Sequence, residues 1–307
     1  MKLPHLSLSY KPPFGALGRR VKTWWYGFEP SGIEAPAPIV ANDQRTTEEL
    51  NEAAERAKAI QMIWGEGYLL PGGPDYLLAL VKPLNVNPAM SLLDLSAGLG
   101  GSTRHIATSF DVYITGLERS PDIAAQGHAL SVKAGLAKKV PIAAYDAEHF
   151  ELRPKAFDAI LGQYLTVGIR DKERFFAQVH QALKPRGQFT FTDFCITGAS
   201  AQDPRLKPWA DNAAYPITPW KPQQYVDYLN ENGFNCRVSE DQSLTFKSLV
   251  QERWQHVVRA ENFRTLSKPA AATLFEEASK YMALLKLMDE QLIAFYRFYA
   301  TAKPVIH

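Results

Sequence analysis

The chain has 307 residues, 46% of them hydrophobic, and a formal net charge of only +2. That length and apolar content suffice for one large domain or two small ones. The near balance of charge excludes a general drive toward nucleic acid, which needs a basic stripe. Two cysteines, Cys195 and Cys236, exclude a disulfide framework and fit a reducing compartment. Seven histidines lie scattered without metal-type spacing, so no metal site is expected. No apolar leader opens the chain and no run approaches the ~18 apolar residues of a membrane span, so a cytoplasmic location is expected.

Residues 1–45 read as a distinct N-terminal extension. Pro4, Pro12, Pro13, Pro30, Pro36 and Pro38 argue against regular structure there. Within it, Arg19, Arg20 and Lys22 stand beside Trp24, Trp25, Tyr26 and Phe28. Such an arm packs on the main domain, covers a pocket or touches a membrane surface. Residues 46–307 read as a single domain, with a cofactor-binding core over about 90–195 and a substrate lid over about 196–300. A helix is expected from Thr46 to about Trp64: Thr46 and Glu49 have capping-box spacing, and Leu50, Ala53, Ala57, Ile60 and Ile63 recur at helical period.

From Ser91 to about Glu240, strand-like and helix-like segments alternate. Strands are expected near 92–96, 112–117, 140–144, 157–162, 188–193 and 235–239, with helices near 101–109, 120–135, 171–183 and 221–232. Strict alternation implies an α/β fold with a doubly wound, mostly parallel sheet, whose ligands bind at the carboxyl ends of the strands. A long polar stretch, Ile196 to Pro219, carries Trp209, Asp211 and Tyr215, with Trp220 just after it; a loop of that length inside a domain is usually functional. Two further helices are expected over 246–262 and 267–295.

The sharpest signal is Leu92-Leu93-Asp94-Leu95-Ser96-Ala97-Gly98-Leu99-Gly100-Gly101-Ser102-Thr103. An apolar strand ends in an acidic, glycine-containing turn and runs straight into a helix, so a ligand can lie against bare backbone beside free N–H groups. Glu118 ends the next strand, where a carboxylate accepts ribose hydroxyls. Asp146 and Ala147 follow the third strand, within reach of an adenine amino group. Three such tips in order point to an adenosine-containing cofactor.

The pattern Asp94-x-Ser96-x-Gly98-x-Gly100 resembles motif I of the class I S-adenosylmethionine-dependent methyltransferases, with Ser96 where the family has its first glycine. A dinucleotide-binding Rossmann protein would want glycine at that position, no acid two residues before it, and a second mononucleotide half. Gln61 to Gly73, Phe157 to Gly162, Leu183 to Phe194 and Tyr296 to Lys303 resemble successive segments of the phosphoethanolamine N-methyltransferases, so the likeness covers about residues 50–303.

The resemblance implies a Rossmann-like methyltransferase fold and S-adenosylmethionine as cofactor. It places Ser96, Gly98 and Gly100 at the methionine part, Glu118 on the ribose, and Asp146 and Ala147 at adenine, with Asp94 and Arg119 as further cofactor-binding residues. Tyr68, Leu70 and Gln163 then flank the methionine end. The phosphobase machinery is not retained. Where that family has an Arg, an Asp and a catalytic His after the fourth strand, this chain has Gln163, Tyr164 and Gly168; its partner Tyr falls near Glu52 and its phosphate-gripping Arg near Ala213. Aromatic positions survive as Phe194, Trp209 and Tyr215.

The expected activity is methylation of a small-molecule acceptor, with an amine nitrogen first. The alternatives are O- or C-methylation of a metabolite or lipid head group, or a binding protein of this fold without catalysis. Phe194, Trp209, Trp220 and Tyr215 are candidates to hold a cationic amine or the sulfonium. Glu52 is a further candidate at the acceptor. Tyr164, Tyr215, Glu52 and Asp193 are candidate bases. The oligomeric state is not legible.

Overall fold

A computed structural model describes residues 47–259 and 266–304. The expectations for the extension at 1–45 lie outside the described residues.

Helix α1 (Thr47–Trp64) and helix α2 (Gly73–Val81) precede the sheet. There follow β1 (Ser91–Asp94), α3 (Gly101–Ser109), β2 (Tyr113–Glu118), α4 (Pro121–Lys133), β3 (Ile142–Ala144), β4 (Phe157–Gly162), α5 (Lys172–Ala182) and β5 (Leu183–Ile196). The short α6 (Lys207–Asp211), α7 (Pro222–Glu231), β6 (Phe234–Asp241), α8 (Ser243–Arg259), α9 (Lys268–Asp289) and β7 (Ile293–Ala302) complete the described chain. The strands form one seven-stranded sheet in the order β3-β2-β1-β4-β5-β7-β6. β1 to β5 run parallel, whereas β7 is antiparallel to both of its neighbours.

The continuous apolar runs are those of strands covered on both faces. Leu92 and Leu93 show it within one strand. Leu92 packs with Ile114, Ala159 and Leu161 under α2 to α4. Leu93 packs with Ile160, Phe189, Phe191 and Tyr225 under α5 and α7. A third cluster lies around Phe194, Ile293 and Phe295 and is roofed by α1, α8 and α9 through Trp64, Phe246, Tyr281 and Leu284. These helices bring the chain before β1 and the chain after β6 together beside the sheet.

Three local expectations change. The helix expected over 267–295 stops at Asp289, where Gln291 adopts a left-handed φ of 56°, and Ile293–Phe295 begin β7. The 196–219 stretch is not featureless, for it holds a 3-10 turn, Pro204–Leu206, and then α6. Helix α2 was not anticipated, since two glycines and Pro74 stand at its start.

Candidate active site

The turn after β1 is built around Asp94. Its carboxylate is buried; Oδ1 accepts from Ser96 N at 3.0 Å and Ser96 Oγ at 3.2 Å, and Oδ2 accepts from Thr103 Oγ1 at 2.9 Å. The acid thus ties the strand tip to the first turn of α3. Burial pushes its carboxyl up to about 6, although those three hydrogen bonds pull the other way. Ser96 Oγ also accepts from Gln163 N at 2.7 Å, and Gln163 Nε2 donates to Ser102 Oγ at 3.3 Å. The serine at the family's glycine position therefore couples the β1 turn to the tip of β4.

Gly98 and Gly100 have φ of 53° and 79°, a region that favours glycine. A Cβ on Gly100 would stand 2.3 Å from Ile142 Cδ1, so this glycine is enclosed. At Gly98 the nearest atom is Leu69 Cδ1 at 3.7 Å, leaving a strip of backbone facing the 68–70 segment. That segment is positioned by its own glycines. Gly67 N donates to Gln61 Oε1 at 2.8 Å, and Gly67 O accepts from Gly101 N at 3.0 Å. Tyr68 and Leu70, both half-buried, are thereby laid across the turn. Burial raises the Tyr68 phenol, while the guanidiniums of Arg104 and Arg253 oppose the rise.

Glu118 closes the other side. Its Oε2 accepts from Gly98 N at 3.0 Å and its Oε1 from Ser120 N at 2.9 Å. Burial raises this carboxyl, with the two backbone donors and Arg119 opposing. Arg119 Nη1 donates to Gly168 O at 3.0 Å, and its guanidinium carbon lies 3.5 Å from the centre of the Tyr215 ring. Asp146 is exposed and engaged by its own segment, accepting from Glu148 N at 2.9 Å and lying 2.9 Å from His149 Nδ1. Its hydrogen bond with His149 is the chief cause of its lowered pKa. Ala147 is buried beside it.

Asp94, Ser96, Gly98, Gly100, Glu118 and Gln163 are thus joined by direct hydrogen bonds or backbone continuity, with Tyr68 and Leu70 over them. The aromatic candidates are not brought together in the same way. Phe194 and Trp209 meet edge to face at 5.8 Å, and Tyr164 reaches the same cluster, 5.6 Å from Phe194 and 5.1 Å from Phe295. Tyr215 stands apart on Arg119. Trp220, a further candidate, lies in a different cluster from Phe194, against Phe176, Tyr225 and Tyr228. The reason is alternation along β5, which sends Phe191 and Phe194 into different clusters.

Two of the candidate bases, Tyr164 and Asp193, sit in surroundings that disfavour the role. Tyr164 donates its hydroxyl to Pro71 O at 3.3 Å, and desolvation raises its pKa well above the usual value, so it is a neutral phenol and a poor proton acceptor. It adopts a left-handed φ of 52°, fixed by Thr192, whose Oγ1 accepts from Tyr164 N at 3.3 Å and whose O accepts from Leu165 N at 3.1 Å. A non-glycine residue held there marks a strained turn. Asp193 is fully buried and accepts from Thr166 N and Oγ1 at 2.8 and 2.6 Å, Val167 N at 3.2 Å, Phe194 N at 3.0 Å and Tyr225 Oη at 3.2 Å. It clamps the loop after β4 and faces no solvent. The side chain of Glu52 lies outside the described residues.

Sequence reasoning missed Thr103, Gln61, Arg104 and Arg253. Thr103 was legible in principle as the first-turn hydroxyl following the glycines. The two arginines come from α3 and α8 and meet at Tyr68 only through the tertiary fold. Among the described residues no group of three His, Cys, Asp or Glu is placed to hold a metal ion, and no helix is long and apolar enough to cross a membrane.

Comparison with known proteins bears on the family and the fold. The chain is 26% identical over 205 residues to phosphoethanolamine N-methyltransferase 2 of Caenorhabditis elegans, a match covering 66% of this chain and 46% of that protein. It is 24% identical over 232 residues to the phosphoethanolamine N-methyltransferase of Plasmodium falciparum, covering 74% of this chain and 85% of that one. The matched part is less than half the length of the Caenorhabditis relative. In fold it is similar to phosphoethanolamine N-methyltransferase 2 of Haemonchus contortus, solved in complex with S-adenosyl-L-methionine, with a TM-score of 0.72 at 22% identity over 86% of this chain and 59% of that one. The seven-stranded order with its antiparallel β7 is that of the class I S-adenosylmethionine-dependent methyltransferases. The family profile described as mycolic acid cyclopropane synthetase matches residues 76–302, and the chain belongs to that family.

Proposed function

We propose that this chain is an S-adenosylmethionine-dependent methyltransferase acting on a small-molecule acceptor, with an amine nitrogen as the methylated atom. The observation that carries the reading is the pair Asp94 and Glu118, on adjacent parallel strand tips, both holding backbone N–H groups of one glycine turn.

The residues present fit the cofactor. Gly98 offers bare backbone toward Leu69, and the Glu118 oxygens that accept from Gly98 N and Ser120 N keep further lone pairs for ribose hydroxyls. Ser96, Gly98 and Gly100 would hold the methionine part and Asp146 with Ala147 the adenine. When bound, the cofactor supplies an activated, electrophilic methyl group. The protein then has to orient the acceptor and exclude water, and positioning of this kind is worth several kcal/mol.

Gln163, which flanks the methionine end in this reading, would also reach the acceptor. Its amide nitrogen is committed to Ser102, and its Oε1 lies 3.6 Å from where a Cβ on Gly72 would stand, between the turn and the covering segment. In this reading that oxygen would accept an N–H from the amine acceptor. Tyr164, Phe194 and Trp209 form an apolar wall, and Arg119 with Tyr215 ties the 197–220 segment to β2. A strong base is not required once the amine arrives neutral. A cytoplasmic location, with no nucleic-acid partner, belongs to the same reading. Its support is the balanced charge and the buried Cys195 thiol, whose pKa burial raises.

The test has two stages. Calorimetry with S-adenosylhomocysteine should show one site per chain, and incubation of methyl-labelled S-adenosylmethionine with a panel of amines should yield labelled product. No cofactor binding would remove the reading. Tight cofactor binding with no transfer to amines, hydroxyls or activated carbons would instead leave a binding protein of this fold.

A further inference from the structure

A second concave region lies at the opposite end of the sheet. Its volume is about 540 Å³, and it is bounded by the first residues of β1, β2 and β4, the turn before β3 and Lys184 near the start of β5. Tyr113 and Glu118 occupy the two ends of β2, about 17 Å apart at a strand rise of ~3.3 Å per residue. The cleft is therefore separate from the turns described above.

Its wall is cationic. Lys138, Lys139, Arg153, Lys155 and Lys184 line it, and no Asp or Glu is among the lining residues. They come from three separate segments, so their convergence is a product of the fold and not of one solvated helix face. Two are tethered from outside the cleft: Lys139 pairs with Asp111, and Lys184 Nζ lies 2.6 Å from Asp158 Oδ2. Asp158 is itself fixed, accepting from Ser91 N at 2.8 Å. The segment before β4 is pinned to the end of α5 by Lys155 N to Gln181 O at 2.9 Å and Ala156 N to Ala182 O at 2.8 Å, with Lys155 in a left-handed conformation of φ 53°. The backbone that carries Lys155 is thus held against α5, and Lys139 and Lys184 are fixed by their ion pairs.

The floor is apolar, with Met90 and Pro141 among its residues, and the Tyr113 ring is 51% exposed with Lys139 Nζ 5.8 Å from its centre. Cations from several directions around a partly apolar floor suit an anion with several negative oxygens attached to a flat or apolar body. Arginine's planar fork matches phosphate oxygens, and lysine supplies point charge. Small-molecule sites commonly have volumes of about 300–1,000 Å³. We propose that this cleft is a binding site for a small molecule bearing two or more phosphate groups, of nucleotide size, distinct from the methyl-transfer site.

The experiment is calorimetry on the full chain saturated with S-adenosylhomocysteine, so that an adenosine-bearing probe cannot report from the other end of the sheet. The probes are inorganic tripolyphosphate and adenosine triphosphate. Both should bind saturably at one site, the nucleotide more tightly. The variant Arg153→Gln with Lys155→Asn should weaken both at least ten-fold and leave S-adenosylhomocysteine affinity unchanged; asparagine tolerates the left-handed backbone at 155. Absence of saturable tripolyphosphate binding overturns the proposal, as does binding unchanged in the double variant. Binding confined to DNA, RNA or acidic vesicles, with steep salt dependence, also overturns it by assigning the rim to a macromolecular anion.

Discussion

The Arg119 guanidinium lies 3.5 Å above the Tyr215 ring while its Nη1 donates to Gly168 O at 3.0 Å. One side chain at the tip of β2 therefore holds both the loop after β4 and the segment after β5. The packing is close, because a Cβ on Gly168 would stand 3.2 Å from both Arg119 Nη1 and Tyr215 Cβ. Since Glu118 precedes Arg119, the proposed ribose site and the lid share one anchor. Arg119→Ala should weaken S-adenosylhomocysteine binding by about 0.5–2 kcal/mol, the range of a cation–aromatic contact. Tyr215→Phe should bind as the parent does and Tyr215→Ala should not. Calorimetry on the three variants checks this, and equal affinities throughout would show that the stack holds nothing.

Glu118→Ala removes the carboxylate that spans Gly98 N and Ser120 N. The expected loss of cofactor affinity is about 1–3 kcal/mol, from the ribose hydrogen bonds and from a turn with an unpaired N–H. Glu118→Gln should lose less, because its amide oxygen still accepts one of the two bonds. Equilibrium binding of S-adenosylhomocysteine measures both, and an unaltered dissociation constant would exclude the ribose assignment.

Asp94 predicts a pH dependence of stability. Its carboxyl is raised from 3.8 to about 6 by burial, so in this range the folded state binds the proton more tightly than the unfolded state. The stabilisation from this group is fully present below the unfolded value of 3.8 and is lost as pH rises through about 6. Its size is on the order of 3 kcal/mol. Asp94→Asn keeps the shape, can still accept from Ser96 N and can turn its amide toward Thr103. Denaturant titrations at pH 4, 5, 6 and 8 should show less decline across that range in the variant than in the parent. Parallel curves would mean that Asp94 is not protonated in the folded state near pH 5.

Asp193→Ala tests the clamp below the strained turn at Tyr164. The change strands the N–H groups of Thr166, Val167 and Phe194, all of which Asp193 holds. Leaving several buried donors unpaired should cost about 3 kcal/mol or more. Tyr225→Phe deletes the 3.2 Å bond to the same carboxylate and the 2.9 Å contact with Thr166 Oγ1, and should cost about 1–2 kcal/mol. Urea unfolding orders the two variants; a larger loss for Tyr225→Phe would refute the clamp.

Much of the cofactor half was legible because the signal is local. Asp94, Ser96, Gly98 and Gly100 sit within seven residues of one strand–turn–helix unit, and Glu118 follows one strand later. The parallel sheet followed from alternation alone, whereas the closing strand was marked only by the resemblance of Tyr296 to Lys303, and its antiparallel direction was not read from the sequence. That Trp220 and Phe194 fall in different clusters was not legible, because aromatic composition does not tell on which side of the sheet a side chain emerges. Tyr164 and Asp193 looked like candidate bases because sequence shows the functional group and not its burial. The boundary between α9 and β7 was blurred by the apolar run Leu292 to Phe295, which suits a buried helix and a buried strand equally.

β7 lies between β5 and β6, although it is the last strand in chain order. The sheet therefore cannot close until some 200 residues after β1 have been made, and its long-range pairings favour slow assembly. Until then β5 and β6 each present a bare rim able to recruit a like strand from another molecule. During synthesis the nascent chain should thus be most aggregation-prone just before residues 293–302 emerge. Chaperone demand should fall sharply once they insert.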